Sequence, residues 1–191
     1  MPAWAAKSAK ERAKILRRMH DLMLEHQDDL ARILTAEQGK PLAEAKGEIV
    51  YAASFLEWFG EEAKRMYGDI IPGHAPDKRI MVLRQPIGVV GMITPWNFPM
   101  AIPTGSITSA LAAGSPVIIK PAPQAQRTAA VIIEAIWAAL DEFDLPHDIV
   151  TLVIAEENTL GSKLVTDPRA ERVILTGGYE TAQLFTKLRP D

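Results

Sequence analysis

The chain has 191 residues, 48% hydrophobic and 24% charged, with a formal net charge of −3 at pH 7. That is enough apolar material for a real core, and it offers no basic field for nucleic acid or an anionic membrane surface. The absence of cysteine excludes disulfides, thiolate metal sites and cysteine catalysis within these residues, and the four histidines are scattered without an H-x-x-H spacing. No apolar run approaches the ~20 residues of a bilayer span. Residues 1–12 carry charge without the apolar stretch of a secretory signal, so the expected location is cytoplasmic.

Residues 8–36 read as one helix. Ser8 and Glu11 have the spacing of a capping box, and Ile15, Leu16, Met19, Leu22, Met23, Leu30, Ile33 and Leu34 recur on one face. Gly39 and Pro41 stop it. Residues 42–66 form a second helix, with Ile49, Ala52, Leu56, Phe59, Ala63 and Met66 on one side, ending at Gly68. Glu37, Glu48, Glu61 and Glu62 on these two helices read as solvated helix faces.

Residues 68–86 look like two short strands, Ile70–Gly73 and Ile80–Arg84, around a turn at 74–78. They hold too little apolar surface to stand alone, so the excursion packs on the main domain or pairs with another chain.

From residue 87 the pattern is regular. Strands at 88–93, 116–120, 149–154 and 172–178 alternate with helices at 99–113, 125–143, 157–166 and 180–188. The strands are almost wholly apolar, as strands of a parallel sheet covered on both faces are. The expected fold class is α/β, with four consecutive β–α repeats and right-handed crossovers.

Two polar groups arrive at the carboxyl ends of these strands, the edge where open α/β sheets take their ligands. Asn97 lies in Thr94-Pro95-Trp96-Asn97-Phe98-Pro99, a turn stiffened by prolines. Its NH2 can donate to an oxygen that becomes negative during a reaction, or it can cap the next helix or close an Asx-turn. Lys120 ends the second strand, where an ammonium can hold ribose hydroxyls or phosphate, or snorkel at the sheet rim. Thr176-Gly177-Gly178 precedes a helix, so its backbone N–H groups can meet an anion; the alternative is a tight turn that needs a positive φ.

Ile93 to Pro99, then Leu111-Ala112-Ala113-Gly114-Ser115-Pro116-Val117-Ile118-Ile119-Lys120-Pro121-Ala122, then Leu175-Thr176-Gly177-Gly178, in that order and spacing, resemble the NAD(P)-dependent aldehyde dehydrogenase superfamily. Glu37-Gln38-Gly39-Lys40-Pro41 and Arg84 to Val90 also look like that family. The resemblance covers essentially the whole chain and implies a Rossmann-like cofactor-binding domain. Residues 1–67 would be its amino-terminal helices, 68–86 an oligomerisation arm, and 87–191 the NAD(P)-binding core, cut before the catalytic domain.

In that reading Asn97 is the oxyanion-hole amide and Lys120 holds the adenine-side ribose. Ile93, Thr94, Pro95 and Trp96 line the cofactor cleft, with Ala122, Pro123 and Gly161, while Thr176, Gly177 and Gly178 meet the pyrophosphate. The cofactor is NAD or NADP, the partners are a small aldehyde and further copies of the chain, and neither nucleic acid nor membrane is expected.

The family's cysteine nucleophile and glutamate base belong to a segment beyond Gly178, so this span alone is not expected to oxidise aldehydes. A truncated, non-catalytic binding or assembly module is the rival reading. Pro123 stands where many members carry a residue that biases NAD against NADP, and Tyr179–Ala182 departs from the small residues of many relatives. Residues 1–120 look like succinate-semialdehyde dehydrogenases. Residues 120–191 are closer to the pyrroline-5-carboxylate or glutamate-semialdehyde dehydrogenases. Both point to short aldehydes that bear a carboxylate.

Overall fold

The capping box at Ser8 forms as its spacing predicts: the Ser8 hydroxyl accepts from the Glu11 N–H, and the Glu11 carboxylate accepts from the Ser8 N–H at 2.8 Å. The computed structural model describes residues 2–155 and 161–190. The first part of the helix expected at 157–166 therefore lies outside the described residues.

Four helices come first: α1 (Pro2–Ala5), α2 (Ala9–Glu25), α3 (Gln27–Gln38) and α4 (Leu42–Glu62). The single helix expected over 8–36 is two. His26, at φ −102° and ψ 16°, breaks it, although its N–H still reaches the Leu22 carbonyl. The break follows from packing. It lets α3 leave the line of α2, set Leu30, Ala31 and Leu34 into the core, and lie against both α4 and the helix that begins at Gln126. Gly39, at φ +82°, closes α3 in the left-handed conformation with its N–H on the Thr35 carbonyl.

Residues 69–82 form an antiparallel ribbon of β1 (Asp69–Pro72) and β2 (Arg79–Val82), paired from Asp69 with Val82 to Pro72 with Arg79. All eight of its residues are exposed, Ile70 at 79%.

The four expected β–α repeats follow: β3 (Val89–Ile93), α5 (Ala101–Ala112), β4 (Val117–Lys120), α6 (Gln126–Asp141), β5 (Val150–Leu152), α7 (Ser162–Thr166), β6 (Ala170–Leu175) and α8 (Tyr179–Leu188). The strands form one parallel sheet in the order β5-β4-β3-β6. The chain thus runs from β3 outward to β4 and β5, then returns to the other side of β3.

One face of the sheet carries Val90, Met92, Val117 and Ile119 into a core shared with Ile107, Leu111, Ile132 and Ile136, and with the stripes of α2, α3 and α4. Burying one such side chain contributes about 1.5–3 kcal/mol. On the other face Gly91 meets Leu164 of α7, and a Cβ there would lie 3.1 Å from the Leu164 Cδ1. That face is covered less completely, since α8 buries none of its side chains. Among the described residues no helix is long and apolar enough to cross a membrane.

The amino-terminal helices also supply partners for the ends of α5 and α6. At the carboxyl end of α5 the Trp4 Nε1–H donates to the Leu111 carbonyl at 3.1 Å, and the Arg12 Nε–H donates to the Ala112 carbonyl at 3.0 Å. Arg12 is buried, which pushes its guanidinium pKa down, yet it remains a cation facing the negative end of the helix dipole.

Glu37 is not on a solvated face. Its two carboxylate oxygens accept the Arg127 and Thr128 N–H groups at 2.8 and 2.7 Å, capping α6 from 90 residues away. Glu61 and Glu62 are on exposed surface as expected, paired with Lys64 and Arg65. Replacing Glu37 by Ala removes acceptor and charge from the start of α6 together. It is expected to destabilise the fold by about 1–2 kcal/mol, read as a lower urea midpoint at unchanged slope; an unchanged midpoint contradicts the capping role.

Candidate functional site

The two central strands, β3 and β4, leave the sheet through residues that precede proline: Thr94 before Pro95, and Lys120 before Pro121. A residue in that position is held out of the helical region, so the chain stays extended past the sheet edge before it turns. Ile93 stands in register with both Lys120 and Leu175. The ladder continues beyond it, with the Thr94 N–H on the Lys120 carbonyl at 3.3 Å and the Thr176 N–H on the Ile93 carbonyl at 3.0 Å. Three turns are thereby fixed side by side.

Between them opens a cleft of about 310 Å³. It lies where the strand order reverses, with β3 on one side and β6 on the other. Ile93, Thr94, Pro95, Trp96, Lys120, Ala122, Gly161, Thr176, Gly177 and Gly178, all expected here from sequence, line it together. Gln124, Ser162, Leu175, Thr181, Leu184 and Phe185 complete the wall. Pro123 does not reach it: as the first residue of a 3₁₀ turn (Pro123–Ala125) it is exposed, and its neighbours Ala122 and Gln124 face the cleft instead.

Among the described residues that line the cleft, Lys120 is the charged side chain. It is 3% exposed, too buried for a snorkelling rim lysine, and its ammonium donates to the Pro121 carbonyl at 3.3 Å. An ammonium at that edge of the sheet can donate hydrogen bonds to an anionic or hydroxyl-rich ligand. Thr94 offers a further polar atom, since its Oγ1 is buried with no hydrogen-bond partner among the described residues.

The glycine turn differs from its alternative reading. Neither Gly177 nor Gly178 is among the glycines with positive φ, and Gly178 sits at φ −72°, ψ 154°. Glycine is therefore not required there by backbone conformation. Among the described residues a Cβ on Gly178 would meet no atom within 4 Å, and one on Gly177 would meet the Leu175 Cδ1 at 3.5 Å. The turn leaves open space in front of the α8 amino terminus, where N–H groups are unpaired and the dipole is positive.

Asn97 lies outside the cleft wall, on an exposed turn. The residue before α5 is Met100, without a side-chain cap, so Asn97 is not the cap of that helix, and among the described residues its side chain makes no hydrogen bond that would close an Asx-turn. In the chain Asn97 falls between Trp96, which lines the cleft, and Phe98, which lines a second groove of about 420 Å³ with Tyr51, Phe55, Ala101, Ile102, Gly105 and Ser106. The second groove is largely apolar. An amide donor thus stands where a polar cleft and an apolar groove adjoin.

The amino end of α5 is held by Glu48, which is 4% exposed. Its Oε1 accepts the Met100 N–H at 2.8 Å and the Ala101 N–H at 3.2 Å, and its Oε2 is paired with the Lys40 ammonium. The solvated position expected for Glu48 is therefore wrong. Its signal was present in the sequence: Glu48 falls in the run Ala45, Ile49, Ala52, Ala53, Leu56 that faces the core.

A parallel sheet with a reversed strand order and a glycine-edged cleft at its carboxyl edge is the arrangement in which open α/β proteins take their ligands. The aldehyde dehydrogenase family pattern matches residues 1–189, and this chain belongs to that family. It is 54% identical to the glutarate-semialdehyde dehydrogenase of Pseudomonas aeruginosa over all of its own length and 39% of that protein's. It is 52% identical to the NADP+-dependent succinate-semialdehyde dehydrogenase of Escherichia coli, over 94% of this chain and 36% of that one. The crystal structure of Staphylococcus aureus betaine aldehyde dehydrogenase in complex with NAD+ superposes with a TM-score of 0.92 at 28% identity, covering 99% of this chain and 37% of that one. The chain thus spans under two-fifths of the length of these relatives, their amino-terminal part. The Pseudomonas relative aligns on both sides of Lys120, so one kind of semialdehyde dehydrogenase accounts for both segments.

Proposed function

We propose that this chain is the cofactor-binding portion of an aldehyde dehydrogenase that uses NAD or NADP to oxidise a short, carboxylate-bearing aldehyde, with Asn97 as oxyanion donor. The observation that carries the reading is the shared edge: the cleft with buried Lys120 and the open glycine turn adjoins the Asn97 turn. The semialdehyde dehydrogenases among the relatives support the substrate class.

The cleft residues fit a dinucleotide. Lys120 hydrogen-bonds ribose hydroxyls; the Gly177 and Gly178 backbone faces the pyrophosphate at the start of α8; Thr94 offers a hydroxyl that has no partner among the described residues. When bound, the nicotinamide supplies hydride acceptance. Asn97 donates its amide N–H to the aldehyde oxygen as negative charge develops there, while the aldehyde's chain lies along the Phe98 groove. The nucleophile has to come from outside these 191 residues, which hold no cysteine. The ribbon of β1 and β2, exposed along its whole length, is read as an arm that pairs with a second copy of the chain.

Three measurements test this. In an active enzyme carrying this chain as its amino-terminal part, Asn97→Ala is expected to lower kcat by about 10²–10³; a kcat unchanged under single-turnover conditions removes the oxyanion role. Lys120→Ala is expected to raise the cofactor Kd about 10- to 100-fold and leave aldehyde binding alone. Gly178→Ala, whose Cβ has room in the protein, should weaken cofactor binding without altering thermal stability. Titration of NADH or NADPH fluorescence reads both variants, and unchanged Kd values refute the cleft assignment. Placing aspartate at Ile70 and Met81 is expected to shift the protein to a smaller species in analytical ultracentrifugation, and an unaltered sedimentation coefficient counts against the arm.

A further inference from the structure

Among the described residues the Asn97 side chain has no hydrogen bond that would fix its turn. An amide that stabilises developing charge has to be held to within about 0.5 Å. The hold comes from a charge pair reaching in from the amino-terminal helices. Lys40 lies between the left-handed Gly39 and Pro41, at the junction of α3 and α4. Its ammonium donates to the backbone carbonyl of Asn97 at 3.0 Å, sits 4.3 Å from the centre of the Phe98 ring, and is paired with the Glu48 carboxylate. Glu48 in turn grips the Met100 and Ala101 N–H groups. One ion pair therefore takes hold of residues 97, 98, 100 and 101. The Lys40 side chain is 11% exposed and that of Glu48 2%, so the pair is shielded from water and geometrically constrained.

We propose that Lys40 and Glu48 are positioning residues for the oxyanion donor: the pair orients the Asn97 amide through the backbone of its turn, and Lys40 acts on the reaction without touching the aldehyde. The inference rests on the reading of Asn97 as that donor. A pair that merely capped α5 would matter for stability alone, so the test separates stability from rate. The kinetic variants are made in an active enzyme that carries this chain as its amino-terminal part.

Lys40→Met removes the ammonium and keeps the stem. It is expected to lower the single-turnover rate of hydride transfer about 10- to 100-fold, the range for a reacting group displaced by an ångström, with the cofactor Kd unchanged within twofold. Lys40→Met combined with Glu48→Met removes both charges. It is expected to regain thermal stability relative to the single variant while the rate stays low. In an Asn97→Ala background Lys40→Met should cost less than twofold more, because both act through one amide.

A rate within twofold of the parent for Lys40→Met, or losses that multiply in the double variant, overturns the positioning role while leaving Asn97 as donor. An unaffected Asn97→Ala enzyme defeats the donor reading, and the positioning role with it. If Lys40→Met does not fold, Lys40→Gln, a neutral donor of shorter reach, is read the same way. A further measurement needs no substitution: amide hydrogen exchange in the unmodified chain should show Met100 and Ala101 protected, and free exchange at both dismisses the clamp.

Discussion

Helix α5 lies between the sheet and α4 with eight of its twelve residues buried, so the backbone groups at its two ends have to find partners inside the protein. Glu48 meets the amino end, and Arg12 with Trp4 meets the carboxyl end. Each charge has the sign the helix dipole favours. Losing one member of a buried, hydrogen-bonded charge system costs about 3–5 kcal/mol, a large share of the stability of a domain this size. Glu37 does the same for α6. The first 48 residues are thus structural components of the βαβ unit, although they lie outside it in sequence.

Where the cleft forms follows from strand order. Turns that leave two neighbouring strands toward opposite faces of the sheet open a gap between them, and among the described strands the junction of β3 with β6 is where the order reverses. Register then decides which residues face the gap. Ile93 is level with Lys120 on one side and Leu175 on the other, so Thr94, Pro121 and Thr176 begin their turns at one height. The glycines at 177 and 178 keep that mouth open by having no side chain, at conformations any residue can adopt.

Much of this was legible in the sequence, and the misses have physical causes. The strand cores Val117-Ile118-Ile119 and Val89 to Ile93 announce themselves by composition, and the prolines after Thr94 and Lys120 mark where they end. Strand order is not encoded in local pattern, so the return of β6 to the far side of β3 could come only from the assembled fold. The break at His26 has no glycine or proline to signal it. The apolar stripe runs on through it, and the cause is the separate packing of α3 against α4 and α6. Glu37 had no local signature, because its partners are 90 and 91 residues away. Glu48 did: it occupies a core position of its helix, and a carboxylate there demands a buried partner. Pro123 opens a 3₁₀ turn and is exposed, while its neighbours Ala122 and Gln124 line the cleft.

The capping groups precede their helices along the chain, and this orders events during synthesis. Arg12 leaves the ribosome 100 residues ahead of Ala112, which at ordinary translation rates is roughly 5–20 s. Glu48 precedes Met100 by 52 residues and Glu37 precedes Arg127 by 90. The nascent α5 and α6 emerge to find the groups that terminate them already made, so each helix can be secured at its leading end before its trailing end has been translated.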